Sequence, residues 1–301
     1  MNQADRNEYP FASHFIDING HRYHYIDEGS GEPVVMVHGN PTWSYYFRNV
    51  VKELRKNHRV IVPDHIGCGY SDKPSQSDYD YILKNRIGDL QFLLDALDIK
   101  SSITLIVHDW GGMIGMGYAV KFPDRIKRIV LTNTAAFHLP KEKKLPFSIA
   151  LARNTPFGPF LIRGLNAFSR GANYFCVTKR KMAGNIKKDY LVPYNTWGNR
   201  LAVYRFIKDI PLKPEDESYE LVSEIEDGLV KFKTTPVLIC WGQKDFVFDR
   251  HFLYRWKNFF PQAEIHCFDE SGHYLLEDDG DSVIPIIKKF MLHQNHCSEM
   301  C

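Results

Sequence analysis

Short runs of β-branched and other apolar residues stand at 34–37, 60–63, 103–108 and 129–132. Longer stretches separate them, including 89–97, where apolar positions recur at helical spacing. Apolar runs without polar alternation suit strands buried on both faces, and their alternation with helices predicts a mostly parallel sheet covered on each side. Two earlier strands, at 15–18 and 21–27, flank Asn19-Gly20, a pair that tolerates positive φ and so predicts a hairpin. The alternation breaks from 137 to 214, where only aromatic-rich helical pieces occur, interrupted by Pro146, Pro156, Gly158-Pro159 and Pro193. It resumes with strands at 237–241 and 265–268 and closes with an amphipathic helix at 283–292. The expected organisation is an eight-stranded core formed by residues 1–136 and 215–301, with a helical insertion, 137–214, after the sixth strand. Within the insertion, Phe147, Phe157, Phe168 and Trp197 are expected to pack its own core. The basic runs at 141–144 and 179–181 are expected to be solvated faces.

Composition narrows the partners more than the fold. In 301 residues, 44% are hydrophobic and 25% charged, which excludes a disordered or fibrous chain. Thirty-eight basic and thirty-six acidic residues leave a net charge of +2, which gives no ground for a nucleic-acid or anionic-membrane partner. No apolar run reaches the ~18 residues of a membrane span, and the polar opening MNQADRNEYPFASHF carries no signal-peptide core. Six scattered cysteines show no zinc spacing and predict reduced thiols in a cytoplasmic protein, with no role expected for Cys297 and Cys301. No phosphate loop, dinucleotide fingerprint or metal cluster is visible, so no cofactor and no metal is expected.

Three features carry chemistry, each at the carboxyl end of a predicted strand, where open α/β sheets place their sites. The first is His108-Asp109-Trp110-Gly111-Gly112, where a strand runs straight into a helical pattern. A sharp strand-to-helix turn with small residues after it holds a nucleophile above the sheet, and here that position is Asp109. A carboxylate needs no proton removed before attack and can displace a leaving group from saturated carbon, leaving an ester on the protein. An Asp at this place could equally cap the following helix. The second feature is His38-Gly39-Asn40-Pro41, after the third strand. Such a turn supplies one backbone N–H of an oxyanion hole at Asn40, with the other from Trp110, or it is an ordinary loop leading into a helix. His38 itself reads as structural. The third feature pairs Gly242-Gln243-Lys244-Asp245 with Ser271-Gly272-His273. His273 can activate water while Asp245 orients it, although each alone is also a common loop residue. Asp109, Asp245 and His273 follow the chain order nucleophile, acid, base, and their occurrence in three separate loops favours a working triad.

These residues resemble the haloalkane dehalogenase family of α/β-hydrolases over nearly the whole chain. The motifs that carry the resemblance are HGNPTWSYYFR (38–48), PDHIGCGYSDKP (63–74), HDWGGMIG (108–115), GQKD (242–245) and SGHYLLED (271–278). The resemblance implies the α/β-hydrolase fold with a helical cap, Asp109 as nucleophile and His273 as the base for ester hydrolysis. It also implies that the side chains of Asn40 and Trp110 donate to a leaving halide, with a small apolar substrate. Some relatives place the supporting acid after the sixth strand; this chain has Asn133 there, which assigns the acid to Asp245.

Neighbouring activities share parts of the pattern. Epoxide hydrolases use two cap tyrosines, for which Tyr190, Tyr194 and Tyr204 are candidates. Fluoroacetate dehalogenases place arginines where this chain has Trp110 and Met113, so a small anionic substrate is not expected. The phrases DHIGCGYSDKP (64–74), NTAAFHLP (133–140), LNAFSRGA (165–172) and PYNTWGNR (193–200) resemble the third dehalogenase subfamily. That branch includes β-lactone decarboxylases, which convert long-chain β-lactones to cis-alkenes and carbon dioxide with the same Asp, His and Asn-Trp set. A catalytically silent binding protein would be expected to lack the nucleophile or the histidine, and both are present.

Overall fold

The structure, a computed structural model, describes residues 4–5 and 7–292. Cys297 and Cys301 lie outside the described residues, as do the first three residues and Arg6 of the polar opening. Eight strands form one sheet among the described residues: β1 (His14–Ile18), β2 (His21–Glu28), β3 (Pro33–Val37), β4 (Arg59–Pro63), β5 (Ile103–Asp109), β6 (Ile126–Thr134), β7 (Val237–Gly242) and β8 (Glu264–Phe268). Their order is β1-β2-β4-β3-β5-β6-β7-β8. The pairs β1·β2 and β2·β4 are antiparallel and the rest are parallel. Asn19 (φ 54°) and Gly20 (φ 84°) make the expected tight hairpin.

The sequence pattern follows position in the sheet. Central β5 is buried at all seven positions, whereas edge strand β1 alternates and edge strand β8 is largely accessible. Successive residues supply opposite faces. Val35, Val37, Leu105, Val107, Ile129 and Leu131 join one core cluster, and Val34, Met36, Ile106, Val130, Leu238 and Cys240 the other. The first cluster is closed by α2 (Leu83–Ala96), α3 (Gly111–Lys121), α8 (Tyr219–Gly228) and α9 (Arg250–Phe259); the second includes α1 (Arg48–Leu54) and α10 (Leu275–Leu292).

Between β6 and α8 the chain forms α4 (Phe147–Asn154), α5 (Ala167–Phe175), α6 (Gly184–Leu191) and α7 (Leu201–Lys208), with short helical turns and no strand among the described residues. The packing expectation for its aromatics fails at three of four positions. Phe147 is 81% exposed, Phe157 66% and Trp197 47%, while Phe168 is half-buried. The buried faces of these helices are filled instead by aliphatic and tyrosine side chains such as Ile149, Ile162, Ile186 and Tyr190. No helix of the described residues is long and apolar enough to cross a membrane.

Candidate active site

β5 ends in an abrupt turn. Asp109 is its last residue and adopts φ 53°, a left-handed conformation that costs a non-glycine residue about 1–3 kcal/mol and is held by its surroundings. α3 begins two residues later, packed so closely under β3 that a Cβ on Gly111 would lie 1.9 Å from the Val37 carbonyl oxygen. Asp109 therefore stands at a sharp strand-to-helix turn, where this fold places a nucleophile, and does not cap α3, which has no side-chain cap hydrogen bond.

The carboxylate of Asp109 is buried and asymmetric. Oδ1 accepts the backbone N–H of Asn40 at 2.5 Å, and the neighbouring backbone N–H of Trp110 also favours the charged carboxylate. Oδ2 lies 3.6 Å from Nε2 of His273. Burial pushes the Asp109 carboxyl up to about 6, against the opposing pull of His273 and the two N–H groups. On the other side of the imidazole, Nδ1 donates to Asp245 Oδ2 at 2.8 Å. Burial lowers the pKa of His273, but the charge and hydrogen bond of Asp245 and the charge of Asp109 outweigh it, leaving the imidazole raised above its ordinary value. All three expected triad residues thus meet in one line.

Asn40 and Trp110 both line the cavity above Asp109. The indole N–H of Trp110 has no hydrogen-bond partner among the described residues, and its ring rests on Phe206 at 5.4 Å. One hydrogen of the Asn40 amide goes to the Val203 carbonyl at 3.1 Å, which fixes the side chain and leaves the second free. His38 does hold structure. Its Nδ1–H donates to Gly39 O at 2.8 Å and Nε2 accepts from His65 N, and burial lowers its pKa to about 4, so it is neutral at pH 7.

Two contributors escaped sequence reasoning. Asn133, in the left-handed region at φ 37°, donates from Nδ2 to Asp245 Oδ2 at 2.9 Å and to Gly242 O at 3.0 Å, while its Oδ1 accepts from Gly242 N. Its place after the sixth strand was the available signal. Cys176 is buried and lines the cavity beside His273, a position that no spacing in the sequence announces.

The cavity has a volume of about 310 Å³. Asp109, Asn40, Trp110 and His273 gather its polar groups, and apolar side chains such as Met113, Ile149, Phe168, Ala172 and Phe248 form the walls. The cap tyrosines do not reach it. Tyr190 OH donates to Glu277 and Tyr194 OH to the Thr42 carbonyl, and neither is a wall residue; nor is Tyr204. That removes the geometric basis for epoxide activation by a tyrosine pair.

A family model described as the α/β hydrolase fold matches residues 32–156. The chain is 57% identical to a cis-3-alkyl-4-alkyloxetan-2-one decarboxylase from Shewanella oneidensis over 282 residues, covering 94% of this chain and 89% of that protein. It is 30% identical to a haloalkane dehalogenase from Mycolicibacterium paratuberculosis over 250 residues, 79% of this chain and 78% of the relative. Among solved structures, the haloalkane dehalogenase DatA from Agrobacterium tumefaciens superposes with a TM-score of 0.83 at 24% identity, over 94% of this chain and 96% of that one, a likeness of fold. The chain is an enzyme of the haloalkane dehalogenase family of α/β-hydrolases, on the side of that family that holds the β-lactone decarboxylases.

Proposed function

We propose that this enzyme decarboxylates cis-3,4-dialkyl oxetan-2-ones to cis-alkenes, with Asp109 as nucleophile, His273 and Asp245 completing the triad, and 137–214 acting as its cap domain. One observation carries the reading. Asp109 has Oδ1 tied to the backbone N–H of Asn40 while Oδ2 is left beside His273, at the foot of an apolar cavity with very few other polar groups. Such a site offers one oxygen to an electrophilic carbon and little else. The 57% identity to the Shewanella decarboxylase supports a dialkyl β-lactone as the substrate class.

The chemistry balances without water or cofactor. Asp109 Oδ2 attacks C4, the saturated ring carbon that bears the ring oxygen. That carbon–oxygen bond breaks and its electron pair becomes the carboxylate of the opened ring. Loss of carbon dioxide then sends the C–C bonding pair into the new C=C bond, which expels the aspartyl oxygen and regenerates Asp109. The Trp110 indole N–H and the remaining Asn40 amide hydrogen are available to the carboxylate as its charge develops.

The second reading is halide displacement followed by hydrolysis of the aspartyl ester. It is favoured by the Asn40–Trp110 donor pair, which suits a halide, and by His273, whose Nε2 could take a proton from attacking water. Unpaired thiols at Cys68, Cys176, Cys240 and Cys267 support a reducing, cytoplasmic setting for either reaction. The deciding experiment offers the purified enzyme a synthetic cis-3,4-dialkyl oxetan-2-one and a panel of bromoalkanes. Alkene with stoichiometric carbon dioxide is expected from the lactone. Bromide release without any alkene would overturn the decarboxylase reading in favour of the dehalogenase.

A further inference from the structure

We propose that the outer face of the insertion is a docking surface for an anionic lipid bilayer, arranged around the mouth of the cavity. Two independent observations meet there. The first is exposed apolar area: besides Phe147, Phe157 and Trp197, Phe160 is 57% exposed, Tyr174 66% and Phe175 69%. Exposed large apolar side chains in such number are unusual on a surface that meets only water. Three of them lie on or next to the cavity wall. Phe175 is itself a wall residue; Phe147 and Phe160 precede wall residues Ser148 and Leu161 in the chain. The rings of Phe160 and Trp197 share one spot, since a Cβ on Gly164 would meet them at 3.3 and 3.5 Å.

The second observation is charge. Residues 137–214 hold fifteen Lys and Arg against three Asp and Glu, a net charge of +12, while the remaining chain holds twenty-three against thirty-three, a net charge of −10. The overall +2 therefore conceals two oppositely charged segments, joined in part by the pairs Lys143–Asp249, Arg153–Asp216, Lys179–Asp279 and Arg180–Asp281. Among the described residues, Lys141, Lys144, Arg170 and Lys188 are exposed and have no carboxylate within 4.0 Å. Cations also sit directly on the exposed rings, with Arg163 over Trp197 at 4.6 Å and Lys187 over Tyr174 at 3.8 Å. Aromatic rings interleaved with Lys and Arg match the headgroup layer of an anionic bilayer, where rings enter the acyl boundary and cations meet phosphates. Charge complementarity favours this occupant over a symmetric pairing with a second copy of the chain, because two such faces would repel each other.

Docking in this manner would set the cavity mouth against the lipid phase; that consequence for substrate entry rests on the proposed long-chain lactone, whereas the docking itself does not. The test is flotation of the full chain with vesicles of phosphatidylcholine alone or with phosphatidylglycerol added. Wild type is expected to float with the phosphatidylglycerol vesicles and to be released near 1 M salt, where the screening length falls to about 3 Å. Lys141→Glu/Lys144→Glu/Arg170→Glu/Lys188→Glu and Phe160→Ser/Trp197→Ser should each lower vesicle binding at least tenfold, while turnover of a short-chain lactone in solution persists. No flotation of wild type, or equal flotation of wild type and both variants, would overturn the proposal. So would concentration-dependent dimerisation without vesicles that the Phe160→Ser/Trp197→Ser variant abolishes, which would assign the face to a second copy. A protein that floats as expected but turns over no lactone leaves the surface standing and removes the substrate reading alone.

Discussion

Asn133 donates a 2.9 Å hydrogen bond to Asp245 Oδ2, the same oxygen that accepts from His273. A carboxylate shared in this way cannot rotate without breaking both bonds, so Asn133 positions the acid that positions the imidazole. Removing it also leaves the N–H of Gly242 without its Asn133 partner. Asn133→Ala should therefore slow turnover roughly tenfold and destabilise the fold by about 1–3 kcal/mol, the cost of an unpaired buried group. Steady-state kinetics and urea unfolding check the two effects separately. An unchanged pH profile with only a stability loss would show that Asn133 supports the fold and not the triad.

Asp109→Asn should abolish turnover of lactone and bromoalkane alike, because the amide is a very poor nucleophile at carbon. Wild-type-like rates in protein shown by mass to be free of deamidation would remove Asp109 from the reaction.

His273→Phe distinguishes the two chemistries. Hydrolysis of an alkyl ester on Asp109 needs an activated water, so exposure to a bromoalkane should leave a stable adduct visible by intact mass. Decarboxylative collapse of the lactone-derived ester needs no water, so no such adduct should persist with lactone. Accumulation of a ring-opened lactone adduct would show that His273 acts in the collapse as well.

The pH profile follows from two raised values. Burial lifts Asp109 to about 6, so the nucleophile is lost as pH falls through that value, and alkylation in a single turnover should show an acid limb there. His273 must be neutral to activate water, and Asp245 and Asp109, opposing burial, hold it protonated to above its ordinary value. Esterification removes the Asp109 charge and leaves Asp245 alone to oppose burial, so the acid limb of ester hydrolysis should lie below the value His273 has in the free enzyme. Single-turnover hydrolysis with no acid limb at all would contradict the base role.

The motif at 63–74 serves stability through Asp64. Its buried carboxylate pairs with His24 Nδ1 at 2.7 Å and accepts from Ser44 N and Tyr70 N at 2.7 and 2.9 Å. Burial alone would raise its pKa, but His24, His38 and the N–H donors hold it well below the carboxylate range. A depressed value stabilises the fold fully above the unfolded pKa, about 3.9, and progressively less as pH falls towards the folded one. Asp64→Ala should cost about 3–5 kcal/mol at pH 7, with the gap to wild type narrowing below pH 4. Denaturant midpoints across pH 3–7 test this.

The sheet was legible because buried strands such as β5 and β6 carry consecutive apolar residues at 105–107 and 129–131, and their ends in the structure lie within three residues of those expected. The meeting of Asp109, Asp245 and His273 was legible because three strand ends each carried one of them. Helix limits were less so. α2 starts at Leu83, six residues before the periodic stretch at 89–97, since Lys84, Asn85 and Gly88 mask its buried face. α10 likewise starts at Leu275, ahead of 283–292, through the acidic stretch at 277–281 that reads as loop. Solvent-facing aromatics in the insertion look in sequence like core, because composition records hydrophobicity and not direction.

Gly39 carries a consequence for how this enzyme can change. A Cβ there would lie 2.0 Å from Asp109 Oδ1, so position 39 admits no other residue without displacing the carboxylate. Gly111, blocked by the Val37 carbonyl, is equally closed from the other side. The reacting centre is thereby mutationally frozen, while Ser148, Leu161, Phe168 and Phe175 border open volume in a separate segment. New substrate ranges are reachable by substitution in that segment, and a library confined to 145–175 can search them without touching the chemistry.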